Sequence, residues 1–369
     1  MLKQIKNISL IIFSISGIVF FSQNIIENNT TTKTDNSLIK NINKVNYLLK
    51  DNHLNGLKSL DKNFEYNILN YYLSSFDEYS RIEQKENFLE SETKYRGLGV
   101  EVSIENNNIK IHRIFPESPL YNTNIKKGMI IHSINGEEVK DDFNKINFKN
   151  NEIENVDITF LNENKFIEKE NIPIKNIKAT YNYIEKLTVK DKNILVYNTS
   201  IFSTDFKDKF IKGIKNKNDI DYLFIDLRDN LGGSLEETLE FLSLFLDKDN
   251  NMKLIIKKRN QVFEESIIGS EKFTNIPLYV VVNENSASAS EIFSGFIKDS
   301  NRGKVIGTKT FGKGVGQLTF DFDPEHYLII TNFEYFINNK KINKKGIKPD
   351  IKIENINDLT IEEIIENTI

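Results

Sequence analysis

Residues 278–297 read Leu-Tyr-Val-Val-Val-Asn-Glu-Asn-Ser-Ala-Ser-Ala-Ser-Glu-Ile-Phe-Ser-Gly-Phe-Ile, and this stretch decides the fold class. Leu278–Val282 is a short unbroken apolar run, which predicts a buried strand. After a turn of small polar residues, Ile292, Phe293, Phe296 and Ile297 recur at helical spacing. The same pattern appears upstream. The apolar run Tyr222–Leu227 leads into a glycine pair and then Leu235, Leu239, Leu242 and Leu246, while Ile194–Tyr197 supplies another strand. Buried apolar strands alternating with helices are an α/β signature.

Nearer the N-terminus the period changes. Val100, Val102 and Ile104 alternate, Ile109 and Ile111 follow, and Asn135-Gly136 marks a turn, so a compact β-rich module is predicted over 93–172. Leu38, Ile42, Val45 and Leu49, then Leu57, Leu60, Phe64, Ile68 and Tyr72, predict a helical segment within 37–92. Residues 24–36 form a polar linker. Residues 1–23 carry Lys3 and Lys6 before an apolar run from Ile8 to Phe21, the pattern of an export signal. No A-x-A cleavage motif follows, which leaves an uncleaved N-terminal anchor open. Residues 173–369 form the α/β domain.

Composition narrows the chemistry. The chain has 369 residues and 49 basic against 53 acidic side chains, and a net charge of -4 offers no case for nucleic-acid binding. Zero cysteine excludes disulfides, thiolate zinc sites and a cysteine nucleophile. The histidines, His53, His112, His132 and His326, are too scattered to suggest a metal site. No metal or organic cofactor is expected.

Four segments carry chemistry. Asp226-Leu-Arg-Asp-Asn-Leu-Gly-Gly233 joins a strand to a helix, and its glycines allow a tight turn and close approach to a ligand. Asn285-Ser-Ala-Ser-Ala-Ser-Glu291 places serines beside unpaired helix N–H groups, useful for a nucleophile and its oxyanion; the spacing alone leaves Ser286, Ser288 and Ser290 as alternatives. Gly307 to Gln317 nearly matches a phosphate-binding loop. Gly314 replaces the hydroxyl residue, however, and Leu318, Phe320 and Phe322 predict a strand where that motif needs a helix. Lys313 reads better as a general base, a role that requires the neutral amine and hence burial. Finally, Tyr95-Arg-Gly-Leu-Gly-Val-Glu101 opens the β-rich module with a loop able to present backbone N–H groups to a peptide carboxylate.

Taken together these segments resemble the C-terminal processing peptidases, or tail-specific proteases, a family of serine/lysine peptidases with a PDZ domain. Ser75-Phe-Asp-Glu-Tyr-Ser-Arg81 resembles the short motif before that domain. Tyr95–Val100 resembles its carboxylate loop, and Ser118-Pro119 through Ile134-Asn-Gly136 the rest of it. Asp226–Gly233, Ser286–Glu291 and Phe311–Gln317 resemble the catalytic motifs, and Lys345-Gly-Ile-Lys-Pro-Asp350 the closing one. The resemblance implies an α/β multidomain protein: a helical N-terminal segment, a small β-rich PDZ domain and an α/β serine-peptidase catalytic domain. By position it implies Ser288 as nucleophile, Lys313 as base and Gln317 as the residue that positions the lysine. Ala289 with Gly232 or Gly233 would form the oxyanion hole, and Asp299 and Glu291 would have supporting roles. Gly97, Leu98, Gly99 and Val100 would bind the peptide. The implied partners are protein substrates with apolar C-terminal tails, without nucleic acid, in the periplasm or cell envelope; inner-membrane anchoring and a homodimer stay open. Met129 after Gly128, Leu231 and the Asn- and Lys-rich stretch after Lys140 depart from the family pattern, which bears on peptide preference. The rival reading is an inactive PDZ-type scaffold that only holds tails.

Overall fold

The computed structural model describes residues 44, 62–85, 92–146, 148, 153–162, 165–214 and 217–369. The expected export segment, the polar linker and most of 37–61 lie outside them. The chain divides into two units, which among the described residues comprise 44, 62–85 and 317–331, and 92–316 and 332–369. No helix among the described residues is long and apolar enough to cross a membrane.

In the smaller unit the helix Lys62–Ser74 precedes strand β1, Arg81–Gln84. Asn70 ties them, accepting from Ile82 N–H at 2.6 Å and donating to Ile82 O at 3.2 Å. β1 pairs antiparallel with residues 326–329. Between helix and strand, Asp77 organises the turn. Its carboxylate accepts from Tyr79 N–H, Ser80 N–H, Ser80 Oγ and Thr331 Oγ1 at 2.6–2.9 Å.

The larger unit begins with the β-rich module. Its strands are β2 (Glu92–Gly97), β3 (Val100–Glu105), β4 (Asn108–Ile114), β5 (Ile130–Ile134), β6 (Glu137–Glu138), β7 (Asn155–Asn162), β8 (Lys165–Pro173) and β9 (Lys175–Thr180). β3-β4-β5-β7-β8 form one sheet, while β2 pairs with β9. Alternation explains the core: Ile109 and Ile111, Ile131, and Val156, Ile158 and Phe160 point inward together with Leu98, Leu120, Ile125 and Met129. Asn135 and Gly136, both at positive φ, make the predicted turn between β5 and β6.

The remaining strands are β10 (Asn182–Val189), β11 (Lys192–Thr199), β12 (Tyr222–Asp226), β13 (Lys253–Lys258), β14 (Gln261–Ser266), β15 (Leu278–Val282), β16 (Lys304–Gly307), β17 (Val315–Asp321), β18 (His326–Ile337), β19 (Lys340–Lys341) and β20 (Ile351–Lys352). The principal sheet has the order β10-β11-β12-β15-β16-β20, parallel except for β10. Both faces are covered, as parallel sheets require. Val196, Phe224, Val281 and Ile306 pack with Ile361, Ile364 and Ile365 of the C-terminal helix Ile361–Thr368. On the opposite face Tyr197 meets an aromatic cluster. Phe206 and Phe210, Phe241, and Phe293 bring together the helices Phe206–Gly213, Leu235–Ser243 and Ala289–Asp299, with ring centroids 4.6–6.0 Å apart. β12, β15 and β16 are adjacent, so the loops after them, Leu227–Ser234, Asn283–Ser288 and Thr308–Gly314, leave the same end of the sheet. Ligand sites of open parallel sheets form at that end.

Candidate active site

The two loops after β12 and β15 are stitched together by buried polar side chains. Asn230 is fully buried. Its carbonyl accepts from Ala287 N–H at 3.0 Å and Ser290 Oγ at 2.8 Å, and its Oδ1 accepts from Gly232 N–H at 2.8 Å. Asn283, also fully buried, accepts from the N–H groups of Asp229, Asn285 and Ser286. Asp229 takes the Nδ2 groups of Asn283 and Asn285, each at 2.8 Å, and an ion pair from Lys127 of the β-rich module. Burial opposes ionisation of Asp229, but Lys127 and the two amides outweigh it and hold the carboxyl well below the usual carboxylate range.

These bonds separate the serines. Ser286 Oγ donates to Leu227 O at 2.7 Å, and Ser290 Oγ donates to Asn230 O at 2.8 Å. Ser288 instead sits at the head of the helix Ala289–Asp299 with φ 57° and ψ -116°. A serine rarely adopts that left-handed φ, and such strain persists only where surrounding contacts over-determine it. Gly232 lies directly against it: a Cβ there would come within 2.8 Å of Ser288 Cβ and 3.0 Å of Ala289 N. Gly233, at φ 144°, leaves room for the backbone of Phe202, which bonds to Gly232 O and Ser234 N–H on either side of it. Among the described residues, no acceptor takes the N–H of Gly233 or of Ala289.

Lys313, fully buried, lies on the loop after β16. Its carbonyl accepts from Tyr335 Oη, and its N–H donates to Glu291 Oε2 at 2.8 Å. The same Oε2 accepts from Ser288 N–H at 3.0 Å. Two donors on one oxygen leave the Ser288 and Lys313 backbone nitrogens no more than about 6 Å apart. Glu291 Oε1 holds Gly312 N–H at 2.8 Å and Thr310 Oγ1 at 2.6 Å. Burial raises the Glu291 carboxyl above its ordinary pKa, and its donors oppose that shift.

The other expected residues are distributed as follows. Gln317, in the smaller unit, donates its Nε2 to Tyr79 O at 2.7 Å. Asp299 ends the helix that Ser288 begins, about 15 Å away along the axis at 1.5 Å per residue, and pairs with Lys340 at 2.8 Å. It therefore stands apart from the serine. In the β-rich module Gly97 ends β2 and Val100 begins β3. Leu98 is buried, its carbonyl held by Ser118 Oγ at 2.6 Å, and Gly99 at φ 73° abuts Ser118 too closely for any side chain. β3 lies at the edge of its sheet. Sequence reasoning passed over Asn230, Asn283, Thr310 and Lys127. Buried amides inside a glycine turn and a serine loop were the available signal for the first two; Lys127 had none.

Residues 197–353, which hold all three loops, match the sequence model of peptidase family S41. The chain carries a peptidase family S41 domain. A Staphylococcus aureus protein named probable CtpA-like serine protease is 28% identical over 352 residues, covering 93% of this chain and 70% of that one. A Staphylococcus saprophyticus protein of the same name is 31% identical over 263 residues, covering 70% of this chain and 53% of its own. Among solved structures, a Bacteroides fragilis protein named putative S41 protease superposes with a TM-score of 0.58 at 15% identity, covering 80% of this chain and 86% of its own. The photosystem II D1 C-terminal processing protease gives 0.50 at 18% identity, covering 84% and 86%. At those identities the structural likeness speaks to the fold. The S41 domain, together with the serine proteases the chain resembles, marks it as a serine-type peptidase.

Proposed function

We propose that the protein is an exported endopeptidase that captures substrate C-terminal tails through a PDZ domain, the β-rich module, and cleaves them with a Ser288–Lys313 dyad. The observation that carries the dyad is the shared carboxylate oxygen: Ser288, at strained φ beside two unclaimed N–H groups, and buried Lys313 are anchored to one atom. Neutral Lys313 Nζ takes the proton as Ser288 Oγ bonds to the scissile carbonyl carbon. The carbonyl electrons move onto its oxygen, which the N–H groups of Ala289 and Gly233 receive. Gly233 is preferred because Gly232 already donates to Asn230. Collapse expels the amine, which takes the proton from Lys313 and leaves an ester on Ser288. Water then attacks that ester, giving its proton to Lys313, and Ser288 recovers a proton as the acid departs.

Several features support tail capture. β3 offers an open edge for a peptide to add as a strand, and the Gly97–Val100 loop at its start offers backbone donors to a carboxylate. The test is cleavage of an unfolded protein with an apolar C-terminal tail by the wild type, Ser288→Ala and Lys313→Ala. Loss in both variants at unchanged Tm supports the dyad. A wild type that binds the tail and cleaves nothing would favour the scaffold reading.

A further inference from the structure

Glu291 does more than a helix-capping glutamate needs to do. In a capping box the carboxylate at the third helical position takes the N–H of the cap residue, a single bond normally made near solvent. Glu291 makes that bond to Ser288 and is nonetheless fully buried, with its remaining capacity spent on a loop about twenty residues further on. Oε2 adds Lys313 N–H, while Oε1 takes Gly312 N–H and Thr310 Oγ1. Every neighbour that bonds to it is a donor, so the site fits the acceptor-only carboxylate and not a neutral amide of the same shape.

Resting on the dyad proposed above, we infer that Glu291 is its positioning residue: one buried carboxylate fixes the backbone of nucleophile and base in a common frame. The arrangement is also buttressed from behind. Thr310 Oγ1, while donating to Glu291, accepts Ile347 N–H at 2.6 Å, and a Cβ on Gly346 would strike Thr310 O at 2.4 Å. The Lys345–Asp350 motif, with no chemistry of its own, thus holds the threonine that holds the carboxylate. Glu291 touches no reacting atom in this scheme. It acts by keeping Ser288 in its left-handed conformation and Lys313 at a fixed height beside it, where misplacement by about 1 Å is enough to cost a hundredfold in rate.

The test is Glu291→Gln. Whichever way the amide turns, its NH2 group faces two donors, so one side of the frame is lost. The expected result is a folded enzyme whose kcat is about a hundredfold lower per active site, counted by fluorophosphonate labelling, with KM within threefold of wild type. A purely structural role would instead reduce the labelled fraction while the surviving molecules turn over normally, and that outcome overturns the inference. Should Glu291→Gln not fold, Thr310→Val decides. It removes one donor and is expected to lower kcat three- to tenfold, with recovery in Thr310→Ser; wild-type kcat in Thr310→Val overturns the inference. Ser288→Ala runs alongside. If it still cleaves, the dyad itself is wrong, whereas an inactive Ser288→Ala with a fully active, folded Glu291→Gln refutes only the positioning role.

Discussion

Replacing Gly232 by alanine tests the contact between the glycine turn and the nucleophile, and the structure supplies its own control. Gly232 has φ 116°, and an added Cβ would lie 2.8 Å from Ser288 Cβ and 3.0 Å from both Ala287 O and Ala289 N. Two costs add: forcing an L-residue to positive φ, about 1–2 kcal/mol, and pressing a methyl into a filled site, typically about 1–3 kcal/mol. Gly136 has φ 79° with nothing within 4 Å of the added atom, so Gly136→Ala carries only the first cost. Thermal or urea denaturation should therefore show Gly136→Ala about 1–2 kcal/mol less stable with full peptidase activity. Gly232→Ala should lose about 2–5 kcal/mol and nearly all activity at temperatures where it is still folded. The methyl displaces Ser288 and narrows the space beside the Ala289 N–H. A folded Gly232→Ala variant that cleaves at the wild-type rate would refute the claim that this glycine packs against the nucleophile.

The other expectations concern the serines and one half-buried carboxyl. Ser286→Ala and Ser290→Ala each remove a buried hydroxyl bonded to a backbone carbonyl, so each should cost about 1–3 kcal/mol in denaturant titrations yet keep kcat within a few fold. Burial raises the Glu237 carboxyl from 4.5 to about 7. The folded state thus favours its protonated form, a contribution complete below about pH 4.5 and lost as pH rises through 7. Glu237→Gln should accordingly raise Tm at pH 8 and leave it nearly unchanged at pH 4.5; equal shifts at both would contradict the assignment.

The legible part of this molecule is local. The strands β11, β12 and β15 and the helices after the glycine and serine loops follow from short apolar runs and a change of period, because side-chain alternation is a property of neighbouring residues. The strand after Lys313, which excluded a phosphate loop, emerged as β17 for the same reason. Sheet order was not legible, since pairing β12 with β15 joins residues some fifty positions apart through backbone bonds that no side chain announces. The choice among Ser286, Ser288 and Ser290 needed the resemblance for a similar reason: Leu227 O and Asn230 O, which claim the outer two hydroxyls, come from a different loop. Asp299 could have been separated from the serine in advance, because eleven helical residues carry it three turns away. Glu291 was visible only through the resemblance, as a residue with a supporting role; its bonds to Gly312 and Lys313 exist because β15 and β16 lie side by side.

The central claim is that Ser288, and neither neighbouring serine, forms the covalent intermediate. Its most direct test is to inactivate the wild-type enzyme with a fluorophosphonate, digest it, and locate the adduct by mass spectrometry. One modification per chain, on Ser288, is expected, and none in Lys313→Ala over the same interval. An adduct on Ser286 or Ser290, or undiminished labelling without Lys313, would contradict it.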